Sequence, residues 1–232
     1  DAVFPNNWVT FHRDGSIITY PMFSGIRRAE RREDILERIG EKYDLDKRYS
    51  LEFYEEKDQF LEGTGSMVLD REDEIVYAAI GPRTDVRVLD KFCLLKGYEK
   101  VVFHALDRDE APIYHTNVMM ALGDGFVVIC IESIRDQEER SRLVKAFDDS
   151  SLEIIEIDFN QMESFAGNML QLQNRQGESR IVMSTRAYKS LKQTQIDKIL
   201  KYSGILHSPL DTIETYGGGS ARCMLAEVFY PS

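Results

Sequence analysis

Positive charge is in short supply in this chain. Lys and Arg number 29 against 40 Asp and Glu, a formal net charge of −11 over 232 residues. A surface of that sign repels phosphate backbones, so a general nucleic-acid binder is excluded. Long apolar runs are missing too: none approaches the ~20 residues of a membrane-spanning helix, and no signal peptide is visible. No membrane partner is therefore expected. The three cysteines are scattered, which argues against a disulfide framework and for a reducing cytoplasm. No residue set has zinc-site spacing, so no metal is expected. The run Gly217-Gly218-Gly219 lacks the lysine of a phosphate-binding loop. Nothing implies a cofactor.

What is present is repetition. Short polar motifs recur, each followed by an apolar strand: Phe4 to Asn7, Glu62 to Ser66, Tyr114 to Asn117, Phe165 to Asn168 and Gly217 to Cys223. Equivalent points at Asn7, Gly65, Asn117, Asn168 and Cys223 lie 58, 52, 51 and 55 residues apart. A near-constant period marks a repeated supersecondary unit. After each first strand comes a turn, such as Arg13-Asp14-Gly15 or Gly123-Asp124-Gly125, and then a second strand. Those second strands are expected over 16–20, 74–80, 126–131 and 180–184. Amphipathic helices follow around Leu36, Phe92, Phe147 and Ile199. Closing strands are expected over 101–104, 153–157 and 204–207. The unit is strand-strand-helix-strand. Closure of such units into a ring would remove exposed sheet edges and bring the motifs to one axis.

The fifth unit ends after its motif and a strand expected over 224–230. The sequence is therefore expected to lack about 50 residues of that unit, supplied by a segment before Asp1. With 43% hydrophobic residues, the chain is long enough for one core, and 1–232 reads as a single domain.

Cys223 follows Arg222 directly, and a neighbouring cation favours thiolate, the reactive form. Cys93 and Cys130 lie in apolar patterns and read as core. His12, His104 and His207 read as structural, and Trp8 as packing. The stretch from Arg27 to Lys42 reads as a charged, solvated helix.

In this order the motifs FPNNW, EGTGS, YHTN, FAGNML and GGGSARCM resemble the pentein superfamily of guanidino-group-modifying enzymes. Within it, the chain is most similar to the amidinotransferase-like citrulline-utilisation hydrolases. The resemblance runs the length of the chain and implies a five-bladed α/β propeller. It also implies Cys223 as nucleophile, His115 as general acid/base and Glu62 as the carboxylate orienting the histidine. Chemically this fits: a free thiol titrates near ~8.5, so a nearby imidazole is needed to generate thiolate at neutral pH.

Two positions depart from the arginine-deiminase pattern. Where that pattern has carboxylates gripping a guanidinium, this chain has Asn7 and Asn117. Charged hydrogen bonds contribute roughly 1.5–3 kcal/mol against about 1 for neutral ones. An amide also offers both a donor and an acceptor, which suits a neutral ureido group. The expected substrate is a small amino-acid-like molecule, citrulline first, giving ornithine through an S-linked intermediate. Arg83 is a candidate for a substrate carboxylate, and Asn168 for a further substrate contact or a loop role. An amidinotransferase and a deiminase of a small guanidino compound are the enzymatic alternatives. A non-catalytic binding propeller is the alternative of another class. Assembly into a homo-oligomer is left open.

Overall fold

Four of the five recurring segments fold as a three-stranded sheet with helix between the second and third strands. A computed structural model describes residues 2–229. The first sheet comprises β1 (Val9–Phe11), β2 (Ser16–Thr19) and, after helix α1 (Glu33–Tyr43), β3 (Lys47–Ser50). The short helix α2 (Gly63–Ser66) opens the second, with β4 (Val68–Asp70), β5 (Ile75–Ala79), α3 (Val86–Lys96) and β6 (Glu99–Phe103). In the third, α4 (Thr116–Met119) precedes β7 (Met120–Gly123), β8 (Phe126–Ile129), α5 (Gln137–Asp149) and β9 (Glu153–Glu156). The fourth begins with α6 (Phe159–Glu163) and contains β10 (Leu170–Gln173), β11 (Ser179–Ser184), α7 (Thr185–Ser190), α8 (Gln193–Leu200) and β12 (Gly204–Ser208). Helix α9 (Asp211–Gly217) follows.

In every sheet the second strand is central, antiparallel to the first and parallel to the third. The hairpin joins the antiparallel pair, while the helix supplies the long crossover a parallel pair requires. Central strands covered on both faces are apolar throughout, as in Phe126–Ile129. Asp136 caps α5 by accepting the N–H groups of Glu138 and Glu139, and Asp158 and Gln161 form a reciprocal cap on α6.

The core lies between sheets as well as under helices. One cluster joins Tyr77 and Phe103 of the second sheet to Phe126, Phe147 and Ile155 of the third and Ile181 and Ile199 of the fourth. A second links Ile18 and Tyr20 to Val76, Val88 and Phe92. The first strands β4, β7 and β10 lie side by side, and so do α2, α4 and the turn Pro5–Asn7. Motifs distant in sequence thus meet at one end of the assembly.

The structure departs from the expected units in several places. Four sheets are present among the described residues rather than five. Residues 224–229 form no strand; they find no ladder partner, and Ala226 and Val228 instead pack against the Trp8–Leu36 cluster. Tyr230 lies outside the described residues. The first strand of the third unit starts at Met120, because Thr116–Met119 is spent on a helical turn. The charged helix over 27–42 is broken into a turn, Ile26–Glu30, and α1. Strand β3, exposed and polar, was not foreseen because nothing apolar marks it. No helix among the described residues is long and apolar enough to cross a membrane.

Candidate active site

Glu62 is the buried carboxylate of the site. It stands directly before α2, whose first residue, Gly63, adopts φ +46°, and a Cβ there would fall 2.2 Å from the Asn6 carbonyl oxygen. Only glycine fits such a backbone approach. The Glu62 side chain is fully buried. Its Oε1 accepts the Phe23 N–H at 2.9 Å, and its Oε2 accepts from His115 Nε2 at 2.7 Å and Arg83 Nη1 at 3.3 Å. Burial drives this carboxyl upward, but the His115 hydrogen bond and charge, then Arg83, outweigh it and hold it at about 2. Glu62 is therefore anionic at every pH near neutrality.

His115 precedes α4 in extended backbone. Burial lowers its imidazole below the ordinary range; the Glu62 hydrogen bond pulls the other way, and Arg83 and Arg27 add to the lowering. At rest the ring is neutral, with an anion waiting behind Nε2. That arrangement accepts a proton and then stabilises the resulting imidazolium.

Cys223 sits on a turn after the glycine run, with Cys223 N–H donating to the Ser220 carbonyl at 3.1 Å. Its sulfur receives two amide donors, Asn168 Nδ2 at 3.2 Å and Asn117 Nδ2 at 3.6 Å. Asn168 also accepts the Arg222 N–H at 3.1 Å and donates to the Asn117 carbonyl at 2.8 Å. One side chain thereby ties the cysteine turn to α4. Burial pushes the thiols of Cys93 and Cys130 up to about 11 and about 12.

The site residues form one connected set. His115 and Asn117 share a helical turn, so the imidazole and the sulfur's donor are carried by the same element. Tyr114 O–H donates to the Gly218 carbonyl at 2.8 Å, a second link between that turn and the cysteine loop. Arg83 lies near the Phe23 and Tyr114 rings and reaches Glu62 through Nη1, with its side chain 29% exposed. Asn7 is buried; its Oδ1 accepts from Arg27 Nη1 at 3.0 Å, while its Nδ2 and Asn117 Oδ1 are buried without a partner. Gly65 makes room for this: a Cβ there would stand 2.3 Å from Asn7 Nδ2 and 3.0 Å from the His115 ring.

Two participants escaped the sequence reading. Arg27 was assigned to a solvated face, yet its side chain is only 12% exposed and lies 4.0 Å from Glu62 Oε2. The sole hint is the Ser24-Gly25 break, which frees the next turn to fold inward. Thr116 fastens α4 to its neighbours: its hydroxyl donates to the Ser66 carbonyl at 2.6 Å and accepts the Ala79 N–H at 2.8 Å. A cavity of about 780 Å³ runs between β4, β7 and β10 and reaches Thr64, Asn117 and Arg222; neither Cys223 nor His115 lines it. Among the described residues no His, Cys, Asp or Glu cluster is placed to hold a metal ion.

The family model for N,N-dimethylarginine dimethylhydrolase, eukaryotic, matches residues 1–230. A comparison with curated protein sequences finds no match. Among solved structures, apo ArgZ, an arginine dihydrolase from the ornithine–ammonia cycle in cyanobacteria, is similar at 19% identity and a TM-score of 0.75, over 99% of this chain and 33% of that one. AgrE in complex with ornithine and NAD+ is similar at 21% identity and TM-score 0.72, over 100% of this chain and 30% of that one. A dimethylarginine dimethylaminohydrolase variant carrying an S-methyl-L-thiocitrulline adduct is similar at 17% identity and TM-score 0.65, over 96% and 75%. The chain spans about a third of the full-length ArgZ and AgrE chains. Likeness at these identities carries the α/β fold with its mixed sheets.

Proposed function

Because the chain belongs to the eukaryotic N,N-dimethylarginine dimethylhydrolase family, within the pentein superfamily of guanidino-modifying enzymes, we propose that it hydrolyses a C–N bond of a ureido or guanidino group through a covalent adduct on Cys223. In this reading residues 1–232 are one catalytic domain in a ring of five units, with the cysteine turn as the fifth motif. Neutral His115 takes the thiol proton, and Glu62 supports the imidazolium. Sulfur attacks the central carbon, while Asn117 and Asn168 turn their amide donors toward the reacting centre. The C–N bond to the substrate's side chain breaks, and His115 passes its proton to the departing amine. Water, deprotonated by His115, then cleaves the C–S bond and frees the thiol.

A ureido substrate, citrulline first, is favoured. What supports it is the state of the polar groups around the pair. Glu62 is fully engaged, by the Phe23 N–H, His115 and Arg83. What stays open among the amides there is two donors, Asn6 Nδ2 and Asn7 Nδ2, and two acceptors, Asn6 Oδ1 and Asn117 Oδ1. A ureido group brings the matching oxygen and N–H; a guanidinium brings donors only, and Glu62, the carboxylate beside His115, is already engaged. Citrulline would give ornithine and an S-carbamoyl enzyme, and water would release carbamic acid, which falls to carbon dioxide and ammonia. The description of the family favours a second reading, hydrolysis of methylated arginine.

A panel of citrulline, arginine, agmatine and N,N-dimethylarginine decides between them, with ornithine, citrulline, ammonia and dimethylamine measured separately on the full chain. Ornithine and ammonia in equal amounts from citrulline are expected. Faster turnover of any guanidino compound overturns the ureido assignment, and no turnover of any overturns the hydrolase.

A further inference from the structure

Glu214 is a buried acid that the reaction as written does not use. It lies on α9, 4% exposed, a short way before Cys223 in the chain. Its Oε1 accepts the Ser220 hydroxyl at 2.6 Å, the length of a hydroxyl on a carboxylate. Its Oε2 is buried without a partner. An unpaired buried acceptor costs stability, so an apolar side chain of similar size would hold α9 in place better. What the carboxylate adds is a grip on Ser220. That residue is itself fully buried, and its carbonyl accepts the Cys223 N–H at 3.1 Å. Between helix and turn run three glycines, with Gly218 at φ +68° and Gly219 so close that a Cβ there would stand 3.2 Å from Cys223 Cβ. Such a run adopts many conformations unless something pins it. Tethers arrive at alternate residues: Tyr114 on the Gly218 carbonyl, Glu214 on the Ser220 hydroxyl and Asn168 on the Arg222 N–H. The outer two reach in from other units, whereas Glu214 is carried by the helix that the glycine run leaves.

We infer that Glu214 is a positioning residue for the nucleophile: through Ser220 it sets the seat of the turn that carries Cys223, and with it the direction in which the sulfur meets the substrate carbon. The inference rests on the hydrolase reading above and adds a residue to it. The chain of contact is short. Glu214 holds Ser220, Ser220 holds the Cys223 backbone, and Asn168 reaches the sulfur from another unit. Released by Glu214, the turn can slide on its glycines while Tyr114 and Asn168 still bind it, so the fold persists and the alignment is lost. Displacing an attacking atom by about 1 Å lowers the rate by about 100-fold.

The test separates alignment from stability in the full chain. Glu214→Leu combined with Ser220→Ala removes both partners and the unpaired oxygen together, so no polar atom of the pair is left buried alone. Its urea midpoint should stay at or above that of the parent, while kcat on the best substrate of the panel falls about 10- to 100-fold and KM moves by less than about twofold. Alkylation of Cys223 at neutral pH, followed by peptide mass, should slow in the same variant. Glu214→Gln keeps an acceptor for the Ser220 hydroxyl and should recover most of the lost rate. A double variant with the kcat and alkylation rate of the parent overturns the inference. So does a kcat that falls only together with the urea midpoint, the mark of a merely structural pair. A parent that turns over no compound of the panel overturns the hydrolase, and the alkylation rates then still score Glu214.

Discussion

Single side chains divide the work at this site by what they accept and donate. Asn168 has the most to lose, since its amide serves Cys223, Arg222 and Asn117 at once. Asn168→Ala should lower kcat/KM by about 10- to 100-fold, the loss of one hydrogen bond to an anionic group, with steady-state kinetics as the check. Thiol labelling gives a sharper view of His115. Cys223 should react with an alkylating agent at neutral pH, and His115→Ala should slow that reaction, whereas Cys93 and Cys130, raised to about 11 and about 12, should stay unlabelled in both proteins. Equal labelling of Cys223 with and without the imidazole would remove His115 from the mechanism.

At the scale of elements, the helical turns before the first strands position everything. Gly65→Ala should place a methyl group against Asn7 and the His115 ring and abolish activity while far-ultraviolet dichroism is unchanged. Thr116→Val should leave the Ser66 carbonyl and Ala79 N–H unpaired, costing about 1–3 kcal/mol for each, read from the urea midpoint. These turns are the part of the design that sequence patterns blur. Their positions were legible as polar motifs at a steady spacing, and the second strands and helices as apolar periodicity. Their helical form was not, because a four-residue turn such as Thr116–Met119 leaves no periodic trace, and Val118 and Met119 look like strand residues. Arg27 was hidden for a related reason: inward direction depends on how the break at Ser24-Gly25 aims the next turn, which composition does not encode.

The whole molecule carries a pH signature. Burial, then Arg71 and Lys96, lower His12 to about 3, and burial lowers His115 as well. Below pH ~6.5 the unfolded chain binds protons at these rings that the folded chain refuses, so stability falls as pH drops, by about 1.4 kcal/mol per unit for each group. Glu62, at about 2, adds its loss only below the ordinary carboxylate range. The urea midpoint should therefore fall between pH 7 and pH 5, and less so in His12→Gln; identical slopes would show that His12 plays no part. The repeated unit could be read ahead because its period is long and regular, while β3 and the fate of 224–229 could not: β3 has no apolar signature, and an apolar run becomes a strand only beside a partner. His115 and Asn117 ride on a single turn, so the imidazole and one of the sulfur's donors are inherited as a block, and drift that tilts one spoils the other. Asn7 and Arg27 stand outside that block on turns of the first unit, yet Arg27 lies 4.0 Å from Glu62 Oε2 and lowers His115, so an exchange there is felt by the same pair.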